Sequence, residues 1–338
     1  MKPFKKLPLF IAALAMAVTA SAQKTGLHVT NKFAIKSNGG WDYITADAAG
    51  KRLFVSHGTQ VNILSMNGDS IGVISNTNGV HGITLVPSQG KGYTSNGKAN
   101  NCTVFDLKTY QPIATIATGT NPDATFYDDY SKKVYIFNGK SENATVIDPA
   151  TDKVVATVAL GGKPEAGVSD GKGLVFVNSE TTNEVIVINA RTFKVEKRYK
   201  LQGEEPSGLA IDRATSRLFV GCAGSGDMVV LDAANGKQLA KFKTGDCDGV
   251  AFDPALKLAY SSNREGSLSV IKELSANKFV KVEDVPTEPN AKTIAVDLST
   301  HKIYLPAAKT EAVTATTADP KPRPKVVPGS FHVIEVSK

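Results

Sequence analysis

Short apolar segments recur along the chain at nearly constant spacing. Seven of them centre on an aromatic residue between strand-forming neighbours, and consecutive centres lie 39 to 44 residues apart. The aromatic centres are Phe54, Tyr93, Tyr135, Phe176, Phe219, Tyr260 and Tyr304. A period of this length is typical of propellers and other architectures in which each repeat is one structural unit.

A second apolar segment follows each aromatic segment and alternates between apolar and polar positions, as a half-buried strand does. The midpoints of these segments are Ile63, Phe105, Ile147, Ile188, Leu231, Ile271 and Ile334. An acidic residue, a polar turn and a further strand often come next, as in residues 154–158. Four short strands in each repeat, with no helical period, predict one blade of a β-propeller.

The repeats predict an all-β fold, a seven-bladed β-propeller of four-stranded antiparallel blades that forms a single domain over residues 23–338. The last repeat ends after its third strand, and residues 27–35 have strand character ahead of the first repeat. We expect this N-terminal strand to pair with the C-terminal strand and close the ring. Closure protects strand edges that would otherwise invite aggregation.

The seventh repeat also contains an insertion at about residues 308–328, which is rich in Pro, Ala and Thr. Its prolines alternate with basic residues, and such a composition does not build a hydrophobic core. We expect an extended, solvated loop. A lid or docking segment is the functional alternative.

The first residues have the features of a cleaved signal peptide, predicted over residues 1–22. Three lysines precede an apolar run, and Ala20, Ser21 and Ala22 follow it as a small-residue cleavage site. The run is shorter than the roughly 20 residues that span a bilayer, so we expect cleavage, a periplasmic or secreted protein and no membrane span afterwards. Three of the 39 basic residues lie in this leader, so its removal lowers the formal net charge from +7 to +4.

Two kinds of sequence segment within the repeats resemble those of a known family. Residues 146–148 (VID) with 153–158 (KVVATV), and residues 205–212 (EPSGLAID), resemble the YVTN repeat of YncE-like β-propeller proteins. The resemblance covers essentially the whole mature chain and implies a propeller fold and export. It implies no shared chemistry and brings no catalytic motif to this chain.

Propeller geometry predicts where a binding surface lies. The first strand of each blade lines the channel and the second strand returns, so the entry to one and the exit from the other share one mouth of the channel. We expect an unknown small ligand or protein partner to bind there. The candidate residues are Asp42, His57, His81, Asn96, Asp123, Asn138, Glu165, Asn178, Asp248 and Arg264, with Asn290 as the entry position of the seventh blade.

Carboxylates, amides and imidazoles that converge on one mouth are suitable ligands for a divalent metal ion, the one cofactor that the sequence suggests. His57 leaves the second strand of the first blade and His81 enters the second blade, so we expect them to lie close together, and they are the candidate metal ligands. The alternative is that the asparagines and aspartates form turns, and their spacing matches no dedicated metal motif. Cys222 and Cys247 also share this mouth, which predicts a disulfide and leaves Cys102 as a packed thiol.

Three functions are compatible with the sequence. A non-catalytic binding or scaffold protein, expected to be a monomer, fits a regular ring without a nucleophile elbow, a phosphate loop or a dinucleotide fingerprint. A metal-dependent, lactonase-like hydrolase or lyase is the alternative, supported by the histidines and acids of the mouth. Nucleic-acid binding is the third, supported only by the mild positive charge and the basic insertion.

Overall fold

The computed structural model of the chain describes residues 23–37, 39–314, 322 and 324–338. The predicted signal peptide lies outside these residues, as does part of the predicted insertion. In the part of the chain that the structure describes, no helix is long and apolar enough to cross a membrane.

The described strands form seven four-stranded antiparallel blades, which confirms the predicted propeller. β1 (His28–Ala34) precedes the first blade. Blades one to three consist of β2 (Trp41–Asp47), β3 (Arg52–His57), β4 (Gln60–Ser65) and β5 (Ser70–Ile74); β6 (Val80–Val86), β7 (Lys91–Asn96), β8 (Asn101–Asp106) and β9 (Pro112–Ala117); and β10 (Pro122–Asp128), β11 (Lys133–Asn138), β12 (Asn143–Asp148) and β13 (Lys153–Ala159). A short 3-10 helix, Pro87–Gln89, connects β6 to β7.

The next three blades repeat this order. They consist of β14 (Pro164–Ser169), β15 (Leu174–Ser179), β16 (Glu184–Asn189) and β17 (Lys194–Lys200); β18 (Pro206–Asp212), β19 (Arg217–Cys222), β20 (Asp227–Asp232) and β21 (Gln238–Lys243); and β22 (Cys247–Asp253), β23 (Leu258–Asn263), β24 (Ser267–Ser275) and β25 (Lys278–Pro286).

The seventh blade combines both ends of the described chain. It contains β26 (Ala295–Asp297), β27 (Lys302–Ala307), β30 (His332–Ser337) and, as its outer strand, β1. The pairing of β1 with β30 confirms the predicted closure of the ring. Between β27 and β30, the insertion forms a small two-stranded sheet of β28 (Thr310–Glu311) and β29 (Lys325–Val326).

The aromatic residues that recur along the sequence form part of the hydrophobic core between the blades. Each aromatic centre lies on the second strand of its blade and is at most 1% exposed. Phe54 packs against Phe105 of the second blade at 5.9 Å between ring centroids, and Phe219 stacks on Phe252 of the sixth blade at 5.0 Å. Contacts of this kind bury large apolar side chains between neighbouring sheets and hold the blades in a fixed arrangement around the channel.

The inner strands have an irregularity that shapes the mouth. In the first six blades, the pairing of the inner strand with the second strand shifts register within the first few residues. Such bulges bend a strand and redirect its side chains. The second residue of each inner strand therefore lies at the point where the channel opens.

The predicted disulfide between Cys222 and Cys247 is wrong. All three cysteines are buried free thiols in the described part of the chain. The sulfur of Cys247 packs where a Cβ on Gly221 would be, whereas the sulfur of Cys222 packs against Gly203. Because neighbouring residues of a strand point to opposite faces, Cys222 points away from the face of its blade on which Cys247 packs.

Candidate ligand site at the channel mouth

A ring of seven side chains, one from each blade, surrounds the mouth. The first six blades contribute the second residue of the inner strand, namely Asp42, His81, Asp123, Glu165, Ser207 and Asp248. The seventh contributes Lys292, whose carbonyl accepts a hydrogen bond from the Ser262 hydroxyl at 2.7 Å. The carbonyl of Asp123 is bonded in the same way by Ser95 of the preceding blade.

Lys292 therefore takes the place for which the sequence suggested Asn290, two residues earlier. The residues just ahead of β26 form no regular strand, so the repeat pattern gave no register there. Asn290 still lines the cavity at the mouth, and its side-chain amide donates to the Thr310 hydroxyl at 3.2 Å.

Lys292 joins three blades through its ammonium group. Its Nζ lies 2.9 Å from Asp42 Oδ1 and 2.6 Å from Asp248 Oδ2. Burial alone would lower the pKa of Lys292, but the two carboxylates raise it above the ordinary lysine value. Burial would likewise raise the pKa of Asp42, but Lys292 and His81 together hold it well below its usual range. Lys292 and Asp42 thus form an ion pair at the mouth at neutral pH.

His81 lies between two carboxylates. Its Nδ1–H donates to Asp42 Oδ2 at 2.6 Å, and Nδ1 lies 3.6 Å from Asp123 Oδ1. Burial opposes the charged imidazole, but the bond to Asp42 and the charge of Asp123 raise the pKa of His81. Gly97 leaves room for the ring, because a Cβ there would come within 2.7 Å of His81 Nε2.

Asp123 is the least satisfied acid of the ring. It is 8% exposed, and its Oδ1 has no hydrogen-bond partner among the described residues. Burial, followed by the negative charge of Asp42, raises the pKa of Asp123 to about 6. A buried acceptor without a donor is costly for a folded protein. Asp123 is therefore the group of the ring that gains most from a bound donor or cation.

Glu165 comes from the fourth blade, next to Asp123 of the third blade. It accepts a hydrogen bond from the Tyr43 hydroxyl at 2.8 Å, and its Oε2 lies 3.7 Å from Lys163 Nζ. Burial first, then the charges of Asp123 and Glu180, raises the pKa of Glu165 well above the ordinary value. Lys163 also pairs with Glu180, the residue after β15. The protonated form of Glu165 thus persists to a higher pH than that of an exposed glutamate.

These side chains border a cavity of about 530 Å³ at the mouth. The cavity is lined by Gly40, Trp41, Asp42, His81, Asp123, Lys163, Glu165, Glu180, Asp248, Arg264, Asn290, Lys292, Thr310, Pro324 and Val326. An adjoining depression of about 520 Å³ shares part of this lining and adds Lys98 and Lys140. The floor of the mouth is mainly acidic, and its rim carries lysines.

Arg264, predicted for the mouth, lies there and is fixed by two acids. Its Nη2 is 3.2 Å from Asp248 Oδ2 and its Nε is 3.1 Å from Asp246 Oδ2. The structure thus brings together seven of the predicted residues: Asp42, His81, Asp123, Glu165, Asp248, Arg264 and Asn290. Four further residues of the site were not predicted from the sequence: Tyr43, Lys163, Glu180 and Lys292.

His57 is not part of the site, and its predicted role as a metal ligand beside His81 is wrong. It is buried, and its ring stacks on Phe331 at 4.0 Å between centroids. Its Nδ1 is 2.6 Å from the Ser37 hydroxyl, and its Nε2 is 3.1 Å from the Gly39 carbonyl oxygen. Both ring nitrogens are therefore engaged, and burial lowers the pKa of His57 so that the neutral ring is favoured.

Three predicted asparagines, Asn96, Asn138 and Asn178, are structural. None lines the cavity, and each is fully buried. The side-chain amides of Asn96 and Asn138 donate to the third strand of their own blade, at 2.8 to 2.9 Å. Asn178 donates to the carbonyl oxygens of Ser207 and Gly208 in the next blade, at 3.1 and 2.9 Å. These residues connect strands and blades instead of holding a ligand.

The fold and the mouth together define a class of protein, a seven-bladed β-propeller with a pocket of ionisable residues at one end of its channel. Over 155 residues, the chain is 30% identical to YncE of Salmonella typhimurium, and the aligned segment covers 44% of this chain and 44% of that protein. It is 31% identical to YncE of Escherichia coli K12 over 155 residues, or 45% and 43% of the two chains. The matches span less than half the length of these curated relatives.

The sequence similarity and the seven blades are consistent with a YncE-like family. No protein-family model matches the chain. Among solved structures, the chain is similar to a chain of Kuenenia stuttgartiensis hydrazine synthase, with a TM-score of 0.70, 16% identity and coverage of 80% and 94% of the two chains. It is also similar to U3-55K, with a TM-score of 0.75, 10% identity and coverage of 90% and 97%. At these identities the two structures support the fold alone.

Proposed function

We propose that this chain is an exported, non-catalytic binding protein that holds a small polar ligand in the mouth of its channel. The observation that carries the proposal is the Asp123 carboxylate, which is buried at the edge of the cavity while its Oδ1 lacks a hydrogen-bond donor among the described residues. A ligand that donates to this oxygen replaces the water that the acid lost on folding.

The surrounding charges support a preorganised site. Lys292 is held by Asp42 and Asp248, and Lys163 is paired with Glu180. Side chains fixed in this way lose little further freedom when a ligand binds. The cavity volume is also in the range of small-molecule sites.

The charge pattern points to an amphoteric ligand. A cationic or N–H group would meet Asp123 on the acidic floor, and an anionic or acceptor group would meet Lys98 and Lys140 on the rim. Free amino acids and amino sugars combine both features, whereas polyamines offer the first alone.

The test is thermal unfolding of residues 23–338 with a panel of free amino acids, amino sugars and polyamines. A bound compound raises the unfolding midpoint by mass action. We expect at least one compound to stabilise the wild-type chain and to have no effect on Asp123→Asn. The control Asp129→Asn, which alters an exposed acid paired with Arg213, should keep the response. A panel without effect on the wild type, or an equal effect on both aspartate variants, would contradict the proposal.

Export rests on the features of residues 1–22 and has its own test. We expect the chain expressed with its leader in a Gram-negative host to appear in the periplasmic fraction and to begin at Gln23. A cytoplasmic product that retains Met1 would contradict this part of the proposal.

A metal-dependent hydrolase is the second candidate, because Asp42, His81 and Asp123 offer ligand atoms that lie within 4.8 Å of one another. Hydrolysis of a model lactone by the Zn²⁺-loaded wild type, and its loss in Asp123→Asn, would favour this candidate. Nucleic-acid binding has less support, since the floor of the mouth is acidic. A binding constant that falls steeply with salt would be required for it.

A further inference from the structure

We propose that Asp42, His81 and Asp123 form a binding site for a divalent transition-metal cation, which their side chains hold from three consecutive blades. The three ligand atoms lie within 4.8 Å of one another. His81 Nδ1 is 2.6 Å from Asp42 Oδ2 and 3.6 Å from Asp123 Oδ1. Ligands at about 2.0 to 2.2 Å around a tetrahedral zinc ion are separated by roughly 3.3 Å, which lies between these two distances.

The unpartnered Asp123 oxygen is an independent reason to place a cation here. Asp123 is 8% exposed, and its Oδ1 faces the imidazole of His81 without a hydrogen bond among the described residues. A buried carboxylate oxygen without a donor is destabilising, and a metal ion at this point would remove that cost. The cation would take the place of the Nδ1 proton that His81 now donates to Asp42, so its binding would release a proton.

The two oxygens of the Asp42 carboxylate have different neighbours, Lys292 on one and His81 on the other. The Lys292 ammonium binds Oδ1 at 2.9 Å and leaves Oδ2 on the side of His81. The ammonium group therefore occupies one oxygen of Asp42 and leaves the other available to a metal ion. The positive charge of Lys292 also opposes a second cation nearby, so the wild-type site is expected to bind more weakly than the ligand set alone would.

The ligand types select the metal. One imidazole and two carboxylates suit Zn²⁺ and similar transition metals, whereas Mg²⁺ prefers oxygen ligands and retains its water. Three protein ligands leave a coordination position open, and Asp42, His81 and Asp123 all line the cavity. The open position therefore faces the cavity, and a bound cation would compete with the proposed ligand for Asp123 Oδ1; the cation does not need that ligand.

The experiment is isothermal titration of residues 23–338, stripped with a chelator, with ZnCl₂ alone. We expect one ion per chain, and Asp123→Asn and His81→Gln should each weaken binding by about tenfold or more. Lys292→Met should strengthen binding, because it removes the competing charge. MgCl₂ should give no saturable binding at this site.

His301→Gln is the matched control. His301 Nδ1 lies 2.6 Å from Asp253 Oδ2, which reproduces the His81–Asp42 pair on the opposite face of the propeller. Among the described residues, no third metal-ligating group completes a cluster there. This variant should bind Zn²⁺ as the wild type does. Absence of binding in the wild type, or equal affinity in the wild type, Asp123→Asn and His81→Gln, would overturn the proposal.

Circular dichroism of each variant establishes that it is folded before titration. If His81→Gln does not fold, Gly97→Ala supplies the same test, because its Cβ would displace the imidazole and should weaken Zn²⁺ binding. Since the titrant is the metal alone, a negative result here leaves the response to the small-molecule panel unchanged as the test of the proposed function.

Discussion

At the scale of single residues, the mouth concentrates buried charge that is mostly paired. Lys292 is the main counter-ion, because it contacts both Asp42 and Asp248 while its side chain is only 19% exposed. Removal of one partner from such a cluster is more harmful than the net stability of the ion pair suggests, since the remaining charges stay buried without compensation.

The first prediction concerns this cation. Lys292→Met should lower the free energy of unfolding by up to about 3 kcal/mol, since water in the cavity partly screens the remaining carboxylates. Urea unfolding followed by circular dichroism measures the change. Lys243→Met, at a lysine whose side chain is 77% exposed, should change stability by less than about 0.5 kcal/mol. Equal effects of the two substitutions would show that Lys292 does not balance the acids.

The second prediction concerns the pH dependence of Glu165. Its pKa is higher in the folded chain than in the unfolded chain because of burial first and of neighbouring acids second. Between these two pKa values the folded chain keeps a proton that the unfolded chain has released, so stability falls as pH rises from about 4.5. Glu165→Gln keeps the acceptor for Tyr43 and removes this titration.

The stability of Glu165→Gln relative to wild type should therefore increase from pH 4.5 to pH 8, by about 1.4 kcal/mol for each unit of pKa difference. Urea unfolding across this range gives the comparison. Glu184→Gln is the control of opposite sign, because contacts with Lys200 and Arg198 outweigh burial and lower the pKa of Glu184. That variant should lose stability relative to wild type as pH rises through the acidic range. A parallel pH profile for wild type and Glu165→Gln would contradict the prediction.

The sequence predicted part of the mouth for a physical reason. The repeat period identifies where inner strands begin, so Asp42, His81, Asp123, Glu165 and Asp248 were found. Lys292 was missed because no regular strand marks its register. Asn178 lies one residue before the position that Asn96 and Asn138 occupy at the ends of their second strands. A shift of one residue moves a strand side chain to the other face of the sheet, and Asn178 accordingly bonds to the next blade.

At the scale of the elements, buried asparagines recur at the ends of second strands. Asn96, Asn138 and Asn263 each donate through Nδ2 to two side chains at the start of the third strand of the same blade. The sequence alone could not separate this role from ligand binding. An asparagine amide near a turn can serve either role, and only its hydrogen-bond partners in the structure distinguish the two.

The third prediction tests this connection. Asn138→Ala removes the donor to Asn143 Oδ1 and Thr145 Oγ1, and Thr145 is buried. We expect a loss of about 1 to 3 kcal/mol in the free energy of unfolding. The zinc affinity and the response to small ligands should stay unchanged, since Asn138 does not line the cavity.

The control for this substitution is Asn67→Ala, in an exposed turn. It should change stability by less than about 0.5 kcal/mol. If Asn138→Ala instead left stability unchanged and weakened ligand or metal binding, the residue would belong to the site after all.

At the scale of the whole molecule, β1 joins the two ends of the described chain. It supplies the outer strand of the seventh blade by pairing with β30. Glu335 of β30 accepts hydrogen bonds from Asn31 at 2.8 Å and Thr30 at 2.9 Å, and it pairs with Lys302 at 3.0 Å. The sequence predicted this closure because the last repeat lacked one strand. The buried Glu335 that fixes it gave no signal in the repeat pattern.

The fourth prediction follows from this closure. Deletion of residues 23–34 would leave β30 as an unprotected edge, because the backbone groups that now pair with β1 would have no partner strand. We expect the shortened chain to form oligomers or aggregates in size-exclusion chromatography with light scattering, and to unfold at a lower temperature.

A synthetic peptide of residues 23–37, added during refolding, should pair with β30 and restore the elution volume of the full chain. A peptide with Asn31 and Thr30 replaced by alanine should do so less well, since it cannot bond to Glu335. If the shortened chain eluted and unfolded as the full chain does, the ring would be held together by the contacts between blades and not by the closing strand.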